Sequence, residues 1–211
     1  MKKIAYLLEF ILIKILFILF QLIGYRLSSN LGFFIGKTIG PIFRSKKMIV
    51  QNLEKANIQH PQNKFKIASN VLGNYGRIFA EYVYLKKFRN NELKRYVSIE
   101  GLEHLENLKK HDKKAVFISG HFNNFELMAM EIDKAGIDLA AIYRPLNNTF
   151  LNETMEKIRK ENICKNQIKK GRAGSREIIK NLINGRSIAL MIDQRVREGE
   201  KVKFFNNLAT T

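Results

Sequence analysis

The feature that most constrains this chain is an almost continuous apolar run over residues 4–23. As a helix the run would rise about 30 Å, which is the thickness of the hydrocarbon core of a bilayer. Glu9, Lys14 and Gln21 interrupt the run, and a charge at mid-bilayer is costly. Three structures therefore remain open: a single membrane span, a helix lying in the membrane interface, and a helix buried against the rest of the protein. A cleaved signal peptide is disfavoured because no small-residue cleavage site follows the run.

The next segment carries small residues at every fourth position, namely Gly24, Ser28, Gly32, Gly36 and Gly40. On a helix this spacing forms one stripe, which lets a second backbone come close. Pro41 ends the pattern, and a basic cluster follows at residues 44, 46 and 47, as expected beside anionic headgroups. We predict a membrane-associated helical segment over residues 1–47 and a separate globular domain over residues 48–211.

The charge of the chain indicates an anionic partner. Lysine and arginine number 37 and aspartate and glutamate 19, so the formal net charge is +18. Nucleic acid, an acidic membrane surface, phosphorylated lipid and an acidic protein all fit this charge, and codon bias toward lysine is an alternative cause. The single cysteine, Cys164, excludes an intramolecular disulfide and a cysteine-based metal site. We interpret Cys164 as a passive thiol rather than a nucleophile.

The body of the chain changes its pattern near residue 97. Residues 48–96 read as helical, whereas short apolar runs later alternate with amphipathic segments. The runs predict strands at 115–119, 138–143, 163–168 and 187–193, and the segments predict helices at 123–135, 152–162 and 175–184. Asn152 and Ser175 are candidate helix starts, and Gly136 and Gly185 are candidate helix ends. Such alternation predicts an α/β fold with a mainly parallel open sheet flanked by helices.

Residues suited to acid–base chemistry follow the first predicted strand, in the segment GHFNNFE at 120–126. His121 is the side chain whose ordinary pKa suits proton transfer near neutrality. Glu126 can meet it if His121 lies in the strand-to-helix turn and Glu126 on the helix that follows. The carboxylate would then orient the imidazole, and backbone N–H groups at the helix start could stabilise an oxyanion. We expect the other histidines, His60, His104 and His111, to be solvated.

Five blocks in this order resemble the late acyltransferases of lipid A biosynthesis, the lauroyl and myristoyl transferases. GHFNNFE (120–126) resembles the family's GHxGNWE, with Asn123 and Phe125 in place of Gly and Trp. YRPLNN (143–148) resembles YRPxxN, and Arg159 lies in the region of an arginine-rich helix. NGRSIALMIDQ (184–194) and KVKFFNNLATT (201–211) resemble the two later blocks.

The resemblance implies a glycerolipid-acyltransferase-like fold and transfer of an acyl group from acyl carrier protein to a hydroxyl of a phosphorylated lipid A precursor. It places the reaction at the cytoplasmic face of the inner membrane, with no cofactor and no metal. It implies His121 as general base and Glu126 as its partner. The residues expected to contact substrate are Asn124, Arg144, Asn147, Arg159, Arg172, Asp193 and Gln194, and further basic candidates for its anions are Lys169, Lys170 and Arg176.

The family continues beyond the final block, so we expect residues 48–211 to be an acyltransferase domain that lacks its C-terminal part. Glycerolipid acyltransferases are disfavoured because residues 192–199 do not carry their phosphate-binding block. A mannoside acyltransferase remains an alternative, as does a non-catalytic basic protein at a membrane surface. Nucleic acid is disfavoured as a partner, because aromatic residues are not interleaved with the basic ones.

Overall fold

The computed structural model describes residues 2–57, 63–194 and 199–210, and the side chain of Arg172 lies outside the description. The chain divides into two compact units. The sheet unit comprises the chain up to Leu16 together with Tyr84–Ile192, and the helical unit comprises Phe17–Val83 and the chain from Asp193 onward. The domain boundary predicted at residue 47 stays a prediction.

The first helix, α1, extends over Lys2–Ile23 and gives its first part to the sheet unit and its last part to the helical unit. By length and composition alone it could cross a membrane, and 11% of its most apolar window is buried. Its apolar residues are largely exposed, including Ile4, Leu8, Ile15 and Leu22. The prediction of an apolar N-terminal helix is therefore confirmed, and the alternative of a buried helix is wrong.

In the helical unit, α2 (Tyr25–Phe43) packs along α4 (Lys64–Glu81), while α3 (Lys46–Lys55) lies between them in sequence. The predicted stripe of small residues forms the contact: a Cβ added at Gly32 would lie 2.5 Å from the Gly76 carbonyl oxygen. A Cβ added at Gly36 would lie 2.9 Å from the Cα of Gly76. The predicted close backbone approach is confirmed, and its partner is α4. A hairpin of β5 (Lys201–Phe204) and β6 (Asn207–Thr210) completes the described part of this unit.

The sheet unit is built around four parallel strands in the order β1-β4-β2-β3. The strands are β1 (Val116–Ser119), β2 (Leu139–Tyr143), β3 (Asn166–Lys169) and β4 (Ser187–Met191), and the helices are α5 (Leu85–Arg89), α6 (Leu102–Lys110), α7 (Glu126–Lys134), α8 (Thr149–Asn162) and α9 (Arg172–Ile183). Ala140, Ile168 and Ile188 form a buried cluster on the sheet face that Ile178 of α9 covers. The predicted α/β fold with a parallel sheet is confirmed.

Several predicted boundaries are wrong. The helical stretch predicted over 48–96 is interrupted by turns and by 3₁₀ segments at Tyr82–Tyr84 and Lys94–Tyr96. Helix α8 begins after Asn148, whose side chain accepts from the Leu151 N–H at 3.2 Å, so Asn152 lies inside the helix. Helix α9 begins after Gly171 rather than at Ser175. The helix ends at Gly136 and Gly185 are confirmed, since both glycines have the positive φ that ends helices.

Candidate active site

The candidate active site lies at the carboxyl edge of the parallel sheet, where α/β proteins usually place their reactive groups. Strand β1 ends at Ser119, and His121 lies two residues beyond it in the turn that leads to α7. The Phe122 N–H donates to the Gly120 carbonyl oxygen at 2.9 Å, which tightens this turn. His121 is therefore held in a strand-to-helix turn, as the sequence predicts.

Asn123 makes the turn possible with a φ of 44°. This left-handed conformation favours glycine, and asparagine is among the few other residues that tolerate it. The resembling family pattern has glycine at this position, so Asn123 is a replacement that preserves the backbone geometry. The Phe125 N–H donates to the Asn123 carbonyl oxygen at 3.0 Å, and α7 begins at the next residue.

Phe125 contacts the proposed base directly. The rings of His121 and Phe125 meet edge to face, with 4.6 Å between their centroids. An aromatic neighbour at this distance restricts the orientations that the imidazole can adopt. The second departure from the family pattern, phenylalanine for tryptophan, thus keeps an aromatic wall beside His121.

Glu126 opens α7 and forms a buried ion pair with Arg159 of α8. The Arg159 Nε and Nη2 atoms donate to the same Glu126 oxygen, Oε1, at 3.0 and 2.8 Å. The side chains of Glu126 and Arg159 are only 9% and 15% exposed. The sequence predicts Arg159 as a substrate contact, which stays a prediction; in the structure its guanidinium lies on the Glu126 carboxylate.

Tyr143 packs its ring against the Arg159 guanidinium of this pair, and the sequence did not single it out as a site residue. It is the last residue of β2, and the Arg159 guanidinium lies over its ring at 5.5 Å from the centroid. Burial raises the pKa of Tyr143, and the neighbouring Glu156 carboxylate raises it further, so the phenol stays neutral. The tyrosine of the YRPLNN block was the available signal, because it ends a predicted strand.

Glu156 of α8 pairs with two lysines, Lys160 on the same helix and Lys169 on β3. Its carboxylate accepts from Lys160 at 3.0 Å and from Lys169 at 3.4 Å. Lys160, followed by the Tyr143 hydroxyl, lowers the pKa of Glu156 to about 2. Lys169, which was expected to meet substrate anions, therefore has an ion-pair partner within the protein.

The turn after β2 separates an exposed pair from a buried residue. Arg144 and Asn147 are exposed, as contacts to a substrate would require, whereas Asn148 is 4% exposed. The Asn148 amide nitrogen donates to the Tyr6 carbonyl oxygen and to the Glu9 carboxylate, each at 2.9 Å. The sequence predicts Asn147 as the substrate contact of this block, and the structure shows in addition that Asn148 binds α1.

The remaining predicted site residues are not brought together in one unit. Asn124 is half-buried in the turn that holds His121, whereas Asp193 and Gln194 follow β4, are exposed and belong to the helical unit. The side chain of Arg172 and the residue His60 lie outside the described residues. His104 and His111 are exposed, as expected of solvated histidines.

Cys164 is buried, and burial raises its pKa to about 12. Its thiol is therefore protonated at neutral pH, which agrees with a passive role.

Comparison with known families gives one assignment. A family model described as bacterial lipid A biosynthesis acyltransferase matches residues 1–211. No curated protein matches the chain. The family match covers the turn with His121, the Glu126–Arg159 pair and the helix α1 alike, and the chain therefore belongs to the bacterial lipid A biosynthesis acyltransferase family.

Proposed function

We propose that this acyltransferase moves a fatty acyl group from acyl carrier protein to a hydroxyl of a phosphorylated lipid A precursor, with His121 as general base and Glu126 as its orienting carboxylate. The observation that carries the proposal is the Arg159–Glu126 pair, which fixes a buried carboxylate five residues after a histidine at the carboxyl edge of a parallel sheet. Buried charges placed beside a candidate base are typical of catalytic centres.

The reaction needs one proton to be moved. His121 takes the proton of the acceptor hydroxyl as its oxygen attacks the thioester carbonyl carbon. The tetrahedral intermediate then collapses, the carbon–sulfur bond breaks, and the imidazolium returns the proton to the leaving thiolate. Two Arg159 N–H groups donate to Oε1 of Glu126 and hold this carboxylate in position. Arg159 would act here as a positioning residue.

The charge of the protein supports anionic substrates. The net charge of +18 matches an acidic carrier protein and an acceptor with phosphates, and the exposed Arg144 suits a contact to one of them. Asn124, Asn147, Arg172, Asp193 and Gln194 stay predicted substrate contacts. We place the reaction at the cytoplasmic face of the inner membrane, where carrier protein and precursor meet.

The test compares His121→Ala with His104→Ala in an acyl-transfer assay that uses labelled acyl carrier protein and a lipid A precursor. We expect His121→Ala to lower the rate by about 10²–10⁴-fold, the usual contribution of a positioned general base, with unchanged binding of the precursor. His104 is a matched control, since its side chain is 82% exposed on α6, and its replacement should leave the rate intact. Full activity of His121→Ala would refute the mechanism.

A second arm separates catalysis from binding. Arg144→Ala should weaken binding of the anionic substrate and make the remaining activity less sensitive to salt, because it removes a charge that attracts that substrate. If His121→Ala and Arg144→Ala lost binding equally, a basic binding protein would explain the chain better than an acyltransferase with this site.

A further inference from the structure

One face of helix α1 contacts the protein in each of the two units. In the sheet unit, the Tyr6 carbonyl oxygen and the Glu9 carboxylate both accept from the buried Asn148 amide, and the ring of Phe10 lies 6.1 Å from that of Phe150. In the helical unit, the Phe17 ring lies 5.0 Å from that of Phe79, and the Phe20 carbonyl oxygen accepts from Ser28. Both parts of α1 are thus attached to folded protein.

The opposite face of α1 is an apolar ridge. The ridge consists of Ile4, Leu8, Ile11, Ile15, Ile18 and Leu22, each between 46% and 79% exposed. These residues recur at alternating spacings of four and three, which keeps them on one side of a helix. Exposed apolar side chains over this length mark a surface that meets a partner or a membrane.

Polar residues occupy one flank of the helix. Lys3, Lys14 and Gln21 are exposed and follow one another at spacings of 11 and 7 residues, so they form one line about a quarter of a turn from the ridge. An apolar face bordered by lysines is the pattern of a helix that lies in the membrane interface, with its lysines at anionic headgroups.

A crossing helix would conflict with the contacts of its first turns. Glu9 would lie about 10 Å into the hydrocarbon if Lys2 stood at the surface, because a helix rises 1.5 Å per residue. Asn148 would be drawn to the same depth together with the first turn of α8. The charged side chains of Arg144 and Glu153, which flank this turn and are exposed, would then face lipid at a high cost.

We propose that α1 is a monotopic anchor, which lies in the plane of one leaflet with its ridge in the acyl-chain layer and both of its ends on the side of the sheet unit. The proposal rests on the membrane location given under the proposed function, but not on the catalytic mechanism. It also accounts for Glu9, because the carboxylate that interrupts the apolar run lies away from the ridge and accepts a hydrogen bond from Asn148.

The test is the sidedness of single cysteines in the full chain. Lys3→Cys and Gln21→Cys stand 18 residues apart on the same flank, which is about 27 Å along the helix. Lys157→Cys on α8 marks the side of the sheet unit, since that lysine side chain is 75% exposed. The native Cys164 is 2% exposed, so the unsubstituted chain is the control without label. The reagent is a membrane-impermeant maleimide, added to intact spheroplasts and to inside-out vesicles.

We expect Lys3→Cys, Gln21→Cys and Lys157→Cys to be labelled together in inside-out vesicles and to be protected together in spheroplasts. Labelling of the cysteines at 3 and 21 from opposite sides would overturn the proposal. Recovery of the chain in the soluble fraction would overturn it as well. Acyl transfer measured on the same variants distinguishes failure of the anchor from failure of the proposed function. An active protein whose α1 crosses the membrane would refute the in-plane anchor and leave the proposed function intact.

A depth measurement gives an independent result. A fluorophore on cysteine at Ile4, Ile11 or Ile18, quenched by lipids that carry nitroxides at known depths, should report one common depth for an in-plane helix. A crossing helix would put Ile11 deepest, with Ile4 and Ile18 each about 10 Å nearer a surface. Such a peaked profile would contradict the proposal. Ile179→Cys serves as the matched control, because Ile179 is an exposed isoleucine on α9 of the sheet unit.

Discussion

Replacing Arg159 by methionine tests whether this arginine positions Glu126 or binds substrate. The pair has two charge-assisted hydrogen bonds at 3.0 and 2.8 Å, and both side chains are at most 15% exposed. Removing one partner of such a buried pair costs about 3–5 kcal/mol, because the other charge stays buried without its ion-pair partner. We expect Arg159→Met to lower the free energy of unfolding by about this amount.

The double variant Glu126→Gln with Arg159→Met removes both charges. Replacing a buried pair by neutral groups is often close to neutral for stability, so most of the lost free energy should return. Acyl transfer should not return, because the carboxylate that we propose to orient His121 is absent. Recovery of stability without recovery of kcat is therefore the result expected of a positioning pair.

Urea unfolding and steady-state acyl transfer measure the two effects separately. Arg176→Met is the matched control, since Arg176 is exposed on α9 and its removal should change the free energy of unfolding by less than about 0.5 kcal/mol. A substrate-binding Arg159 would instead raise KM in Arg159→Met while the free energy of unfolding and kcat stay close to wild type. That outcome would refute the positioning role.

Two further predictions concern stability. Gly76→Ala should lower the free energy of unfolding by about 1–3 kcal/mol in urea titrations, because its Cβ would lie 2.7 Å from the Gly36 Cα. This overpacking outweighs the better helix propensity of alanine. Gly40→Ala is the milder control, since the atom nearest to its Cβ would be Leu72 Cβ at 3.2 Å. Glu156, whose pKa falls from 4.5 to about 2 on folding, stabilises the protein above pH 4.5 and loses this contribution as the pH falls toward 2. The stability gap between wild type and Glu156→Gln should therefore narrow between pH 6 and pH 3, and a gap independent of pH would contradict this ion-pair account.

The sheet could be predicted because its signals are local. Short apolar runs separated by amphipathic segments fix the order of strands and helices, and the right-handed crossover rule limits how such strands connect. Gly136 and Gly185 ended helices as predicted, because few other residues adopt a positive φ so easily. The predicted starts of α8 and α9 are wrong. For α8, Asn148 and Asn152 are equally good N-cap residues in sequence, and only the structure shows that Asn148 caps the helix.

The contacts of the site could be predicted only in part. The position of His121 follows from the end of β1, which is local information. The partner of Glu126 is 33 residues away, and three basic residues of α8, Lys157, Arg159 and Lys160, compete for it in sequence. Only the packing of α8 against the sheet decides that Arg159 turns inward over Tyr143 while Lys157 stays exposed.

The same limit explains why α1 was ambiguous. Hydropathy records how apolar a segment is, so Glu9 and Lys14 count equally against a membrane helix in sequence. In the structure both are exposed but lie on different sides of α1: Glu9 accepts a hydrogen bond from the buried Asn148, whereas Lys14 lies on the flank beside the apolar ridge. A carboxylate on the side away from the ridge does not oppose contact of the ridge with lipid, and a lysine at the border of an apolar face favours contact with anionic headgroups. The two charges that weaken the case for a span therefore support a helix that lies along the membrane surface.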